Sequence, residues 1–125
     1  RLQDRHGVDV AVTTRFDAPF TLADAALNHL YRIAQEAVLN AIRHGNPRHV
    51  GIELALSDGH IRLRIVDDGR GLGTAAPASA GLGRRIMRYR AQMLGGTCEV
   101  GPAGARGVRV ECVCPVAPNL RAAAS

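Results

Sequence analysis

The sequence predicts an α/β fold: a two-layer α/β sandwich, with a mixed, mostly antiparallel sheet covered on one face by helices. Three observations predict it. Apolar and polar residues alternate in several short runs, the mark of strands with one buried face. Two longer stretches carry apolar residues at spacings of three and four, the mark of amphipathic helices. The order is strand, long helix, two strands, glycine loop, helix, two strands, which sets two or three helices against a single sheet. No repeat or second domain interrupts it.

Each element follows from its residues. Val8, Val10 and Val12 alternate with Asp9, Ala11 and Thr13, and Asp17-Ala18-Pro19 ends that strand. Thr21 with Asp24 reads as a capping box, with the acid in the first turn of a helix. Nothing breaks a helix from there to His44. Leu27, Leu30, Ala34, Ala37 and Ala41 form one row, and Tyr31, Val38 and Ile42 its neighbour. Gly45 and then Pro47 stop it, giving about 23 residues. Val50, Ile52, Leu54 and Leu56, then Ile61, Leu63 and Ile65, alternate on either side of Ser57-Asp58-Gly59, which is an antiparallel hairpin. Thr74 to Ala80, small residues plus Pro77, reads as a mobile loop. A helix follows from about Arg84 to Leu94, ended by Gly95-Gly96. Cys98 and Val100 begin a short strand, Pro102 to Gly107 is a turn, and Val108, Val110, Cys112 and Cys114 form a last strand ended by Pro115. Residues 1–118 are expected to form the domain, and 119–125 a disordered tail.

Composition narrows the classes. A chain of 125 residues suits one domain. No run approaches the ~18 apolar residues that span a membrane, and no signal peptide is present. The first residue is Arg1, so a piece of a longer protein is expected. All 16 basic residues are arginine and the net charge is +5. Only 3% of residues are aromatic, with no tryptophan, and the arginines are spread out, so stacking platforms for nucleic acid are scarce. A local basic patch for phosphates fits better. Cys98, Cys112 and Cys114 are odd in number and form no CxxC pair, against a disulfide framework or zinc site. They read as small buried hydrophobes in a cytoplasmic domain, whose parent is free to be membrane-anchored.

Three stretches carry chemistry. Val66-Asp67-Asp68-Gly69-Arg70-Gly71-Leu72-Gly73 sets carboxylates among glycines at the end of a strand. Glycine lets backbone come close to a ligand, and a carboxylate there can accept from ligand N–H groups. The same stretch also reads as a plain Asp-Asp-Gly turn. Glu36, Asn40 and His44 lie at i, i+4 and i+8 on the long helix, with Arg43 beside them. Hard oxygens suit Mg²⁺ and the basic groups suit phosphates, while a polar stripe with local hydrogen bonds is the alternative. Gly81-Leu82-Gly83 precedes a helix rich in Arg84, Arg85, Arg88 and Arg90, whose free N–H groups would attract anions; a simple hinge is the alternative.

Together these stretches resemble the GHKL ATPase superfamily. Glu36-Ala-Val-Leu-Asn40-Ala-Ile-Arg43-His44 resembles its N box, Asp67-Asp68-Gly69-Arg70-Gly71 its DxGxG box, and Gly81-Leu82-Gly83 its second glycine box, on a lid. The extended pieces RIAQEAVLNAIRHG and GLGRRIMRYRAQMLGG are similar to the catalytic domain (HATPase_c) of bacterial sensor histidine kinases that pair with NarL/LuxR-type response regulators. The resemblance covers about Leu22 to Pro115 and implies the Bergerat ATP-binding fold. It implies ATP and Mg²⁺ as cofactors. Asp67 would accept from the adenine amine with Gly69, Gly71 and Leu72 close to the nucleotide. Asn40 would bind Mg²⁺, with Glu36 holding its water shell or acting as base. Arg43 and His44 would meet phosphates, and Gly81, Leu82 and Gly83 would form the closing lid. The implied partner is a histidine-bearing dimerisation domain of the same protein, the parent a homodimer and the isolated domain a monomer inactive in autophosphorylation.

Val108 stands where Thr or Ser is usual after the glycine of the last strand, Arg84 where an apolar residue is usual, and Tyr89 where an acid is usual. No P-loop, complete GxGxxG, HRD or DFG is present. His6, His29, His49 and His60 lack the acidic helical context of an acceptor and read as surface or strand residues. Two rivals share the fold: a GHKL nucleotide-binding regulatory module without phosphotransfer, and an anti-sigma-factor serine kinase.

Overall fold

The computed structural model describes residues 2–3, 7–70 and 78–116. The expected tail at 119–125, His6, Gly71 and Leu72 lie outside the described residues. Eight elements follow in order: β1 (Leu2–Gln3), β2 (Asp9–Phe16), α1 (Asp24–Gly45), β3 (His49–Ser57), β4 (His60–Asp67), α2 (Ala78–Met93), β5 (Thr97–Pro102) and β6 (Val108–Pro115). The strands form one six-stranded sheet in the order β1-β2-β3-β4-β6-β5. Only β2 and β3 run parallel, because α1 carries the chain back between them. Every other pairing is antiparallel. The β3–β4 hairpin turns at Asp58 and Gly59, both at positive φ (53° and 73°), the geometry that matches strand twist. The predicted sandwich and its hairpin stand; β1, a two-residue pairing, left no periodic signal.

One face of the sheet is polar. Arg62 and Arg109 bracket Glu111 at 3.3 and 2.8 Å, and Arg15 meets Glu53 at 3.2 Å. The other face carries the core: Val50, Leu56, Ile61, Leu63, Ile65, Val110, Cys112 and Cys114, under Ile33 of α1 and Met87 and Ala91 of α2. Each large aliphatic buried here contributes about 1.5–3 kcal/mol, so one covered face suffices.

The long helix differs from its sequence reading in three places. Its buried stripe is Ala26, Leu30, Ile33, Ala37, Ala41 and Gly45. Ile33 is fully buried, whereas Leu27 and Tyr31 are 48% and 61% exposed. Leu30, Ala37 and Ala41 of the expected row are buried, but Ala26 and Ile33 take the places expected for Leu27 and Ala34, because Leu27 drifts around the helix past the edge of the layer. Ala23, not Thr21, is the N-cap, with no side-chain cap bond. The stop is Asn46, in the left-handed region (φ 48°), and Gly45 is still helical. The second helix begins at Ala78 rather than near Arg84, so Gly81-Leu82-Gly83 lie inside it.

All three cysteines are free and buried. Cys98 and Cys112 face each other across β5 and β6. A hydrogen bond between their thiols holds Cys98 below the ordinary thiol range and pushes Cys112 up. Burial pushes the Cys114 thiol up to about 11.

Gly107, the residue before β6, has φ +86°, and a Cβ there would overlap the carbonyl oxygen of Asp67. Gly107→Ala combines backbone strain with overpacking, together about 2–5 kcal/mol. Gly104, at φ +138° with open space around it, is the control for strain alone. Urea unfolding should show a much lower midpoint for Gly107→Ala than for Gly104→Ala; equal midpoints would remove the contact from the account.

Candidate functional site

Asp67 ends β4 and is 6% exposed, the buried charged side chain among the described residues. Its Oδ1 accepts the Gly69 N–H at 2.8 Å. Burial raises the carboxyl above the usual carboxylate range, and the Gly69 and Val108 N–H groups pull it back, with Asp68 raising it slightly. The residue in the place of the usual Thr or Ser thus supports Asp67 by its backbone.

Glycines bring the end of α1 onto this carboxylate. A Cβ on Gly69 would stand 2.5 Å from Gly45 O and 3.0 Å from Asp67 Oδ1, so only glycine fits. Arg70 N–H donates to Gly45 O at 2.8 Å, clasping the loop to the helix. Gly45 itself lies against Gly69 Cα and Asp67 Oδ1. Sequence reasoning took Gly45 as a stop signal alone and missed this role.

Asp68 turns the other way. Its Oδ1 accepts Arg48 N–H and His49 N–H at 2.8 and 2.9 Å, and its Oδ2 meets His49 Nδ1 at 2.8 Å. The His49 backbone and ring, then Arg48, hold its carboxyl at about 2. Asp68 therefore locks the loop to the start of β3, and His49, read as a plain strand residue, is its partner.

The helix row lies where the spacing put it. Glu36, Asn40 and His44 are half-buried on one face of α1 and Arg43 beside them is exposed. α2 packs against that face. Gly83 touches the Asn40 side chain so closely that a Cβ would stand 2.6 Å from Nδ2. Arg90 Nη1 donates to His29 Nδ1 at 3.2 Å, which places His29 on the seam between the helices. Glu36 and Arg43 line an open groove of about 280 Å³ with Arg32, Gln35, Leu39, Ile86 and Arg90. Arg32 and Gln35 were not singled out by sequence, because arginine and glutamine on a helix usually face solvent; Arg90 was named only as one of the basic residues of the second helix. His44 Nε2 is buried without a partner among the described residues.

The second glycine box needs correction. The sequence placed Gly81-Leu82-Gly83 before the helix, with N–H groups free for an anion. Here Gly83 lies past the first turn, its N–H committed to the helix, and its missing side chain serves the approach to Asn40. Gly81 has open space around it and Leu82 is 58% exposed.

The donor set defines what could be held. Among the described residues no group of three or more His, Cys, Asp or Glu side chains could cage a metal. One carboxylate and one amide oxygen, Glu36 and Asn40, fit a Mg²⁺ that arrives on phosphates and keeps most of its own shell.

Residues 25–118 match the family model described as histidine kinase-, DNA gyrase B-, and HSP90-like ATPase (HATPase_c). The chain belongs to this family. Among curated relatives, the HATPase_c chain is 30% identical over 108 residues to the sensor histidine kinase LiaS of Bacillus subtilis, covering 82% of this chain and 30% of that protein. It is 36% identical over 89 residues to the sensor protein VraS of Staphylococcus aureus, covering 71% and 26%. The domain thus spans under a third of the curated relatives it matches. In fold it is similar to the ATP-binding domain of PrrB from Mycobacterium tuberculosis (TM-score 0.63, 22% identity, 87% of this chain and 80% of that one). It is likewise similar to the blue-light activated histidine kinase of Erythrobacter litoralis (TM-score 0.67, 24% identity, 88% and 39%). No helix among the described residues is long and apolar enough to cross a membrane.

The Asp68 lock should show in acid. Its folded carboxyl sits below the ordinary 3.8, so its stabilisation is present above that value and is lost as pH falls towards about 2. The side chain is 46% exposed, so solvent screening keeps the effect to about 1 kcal/mol or less. In urea unfolding across pH, the gap between the parent and Asp68→Asn should be constant near neutrality and close between about 4 and 2. A gap that does not change with pH would mean the carboxylate is not the source.

Proposed function

We propose that this domain binds ATP with Mg²⁺ against the α1–α2 face and donates the γ-phosphate to a histidine on a separate helical dimerisation domain. One observation carries the reading. Asp67 is a buried carboxylate whose burial is unfavourable to its charge. A ligand N–H group would offset that desolvation, and the adenine exocyclic amine supplies one. Family membership supports ATP as the ligand.

The remaining roles follow from placement. Gly69, with Gly71 and Leu72 after it, would admit the base beside Asp67. Asn40 and Glu36 would hold the metal. Mg²⁺, when bound, would neutralise charge on the phosphates. Arg43 would contribute charge at the groove, and His44, with its buried Nε2 unpartnered, a polar contact. Gly83 stands against Asn40 here, so engagement of the metal by Asn40 requires α2 to shift or its first turns to loosen, with Gly81 and Leu82 as the adjoining lid. Leu82, Ile86, Tyr89 and Met93 share an exposed face of α2 beside the groove and would seat the acceptor domain. A NarL/LuxR-type response regulator would receive the phosphate from the parent, acting as a homodimer. Val108, which offers Asp67 a backbone N–H and no hydroxyl, favours the second reading of a nucleotide-binding module without transfer.

Calorimetry tests the site. Asp67→Ala should weaken ATP and ADP alike by about 1.5–3 kcal/mol, the range for a charged hydrogen bond. Asn40→Ala should abolish the gain from Mg²⁺ and keep the fold. Unchanged affinity in the first variant, or an unchanged Mg²⁺ effect in the second, removes that residue from the site.

Radiolabelled ATP tests the transfer. The 125-residue chain alone should stay unlabelled, because transfer needs the acceptor within attack distance. With the parent's dimerisation domain added in trans, that partner should gain acid-labile, base-stable label. Binding without transfer would establish the regulatory module, and stoichiometric label on the domain alone would overturn the assignment of the acceptor.

A further inference from the structure

Among the described residues, the two helices leave part of the core face bare. Val10, Val12, Thr14 and Phe16 of β2 lie in register with Val50, Ile52, Leu54 and Leu56 of β3, so they share the face the helices cover. Yet α1 rests on β4, and α2 on β5 and β6. Val12 is 55% exposed and Phe16 45%, and Ile52 and Leu54 are half-buried. The near wall of this shelf is α1. His29 and Asn40 face α2. At 100° per residue, Leu27, Tyr31, Ala34 and Val38 fall on the opposite flank, towards β2. Leu27 and Tyr31 are the exposed members of that flank. Phe20 closes one end, edge-on to Phe16 with ring centroids 4.9 Å apart.

The gap has the size of one helix. From β4 to β2 is two strand spacings, about 10 Å, and helices pack 8–10 Å apart. A helix beside α1 would therefore sit over β2. The area argues against a second copy as occupant. Taking about 150–250 Å² per large side chain, the exposed parts of Val12, Phe16, Leu27 and Tyr31 come to roughly 400 Å². A stable dimer needs about 800 Å² per partner. A shelf of this size suits a tethered segment, for which effective concentration replaces area. The β1 register says which segment. Leu2 pairs with Val10 and Gln3 with Asp9, antiparallel, so the chain entering β1 arrives from the direction of Val12 and Phe16.

We infer that the shelf formed by Val12 and Phe16 of β2 with Leu27 and Tyr31 of α1 is the docking site of an amphipathic helix of the parent polypeptide, supplied from the segment that precedes Leu2. That helix completes the helical layer and ties the domain's orientation to the rest of the protein. The inference is independent of what the α1–α2 face binds.

The test uses the full-length parent with p-benzoylphenylalanine in place of Tyr31. Irradiation should give an intrachain cross-link to a segment N-terminal to Leu2 with apolar residues at three-four spacing. A cross-link between chains, one to any other segment, or none overturns the proposal. Tyr31→Glu in the same protein should speed proteolytic cleavage of that segment about tenfold, since cleavage tracks the undocked population. Nucleotide affinity should stay unchanged. An unaltered cleavage rate would also overturn it.

Discussion

The fold is organised around keeping one carboxylate out of water. Asp67 is held at the end of a central strand, under the last turn of α1 and beside the first residue of β6. A lone buried carboxylate is unfavourable unless N–H groups surround it. The structure provides two from its own backbone, at Gly69 and Val108. Three backbone segments have to converge for that, and the space they need explains glycine at 69 and 107. A side chain added at 69 or 107 would collide with these segments and force them apart. The neighbouring Asp68 does the opposite work, using its charge to staple the loop to β3, which keeps the turn from relaxing towards solvent.

The second constraint is the seam between the helices. α1 is amphipathic in a way that needs three neighbours: the sheet beneath it, α2 on the Asn40 side, and an open flank at Leu27 and Tyr31. The polar row Glu36–Asn40–His44 lies half-buried, with Gly83 of α2 against Asn40 and Ile86 and Arg90 lining the groove beside Glu36. Polar groups at such a seam are poorly satisfied, as the buried Nε2 of His44 shows.

Strands and the hairpin were legible in the sequence because period two is set by the pleat itself and leaves little freedom. The long helix was legible as an element, but its buried stripe was not, since Leu27 and Ile33 are equally apolar and only the layer's edge decides between them. The motif residues Glu36, Asn40, Asp67 and Gly69 could be named from spacing. The support Asp67 receives could not, because Gly69 and Val108 reach it through backbone N–H groups, which carry no side-chain signature. The start of α2 was misjudged for a related reason. Glycine lowers helix propensity, and nothing local reveals that Gly83 is there to clear space for an amide on another helix.

The three thiols sit between the sheet and α2, away from Asp67 and from the shelf beside β2. Cysteine chemistry therefore reports on one half of the molecule. A thiol reagent can reach Cys98, Cys112 or Cys114 only when α2 lifts or the β5–β6 ribbon frays, and the end of α1 can breathe without changing that rate. The domain carries an internal clock for detachment of its second helix. Any motion of α2 that accompanies ligand engagement at Asn40 can be timed through residues that take no part in it.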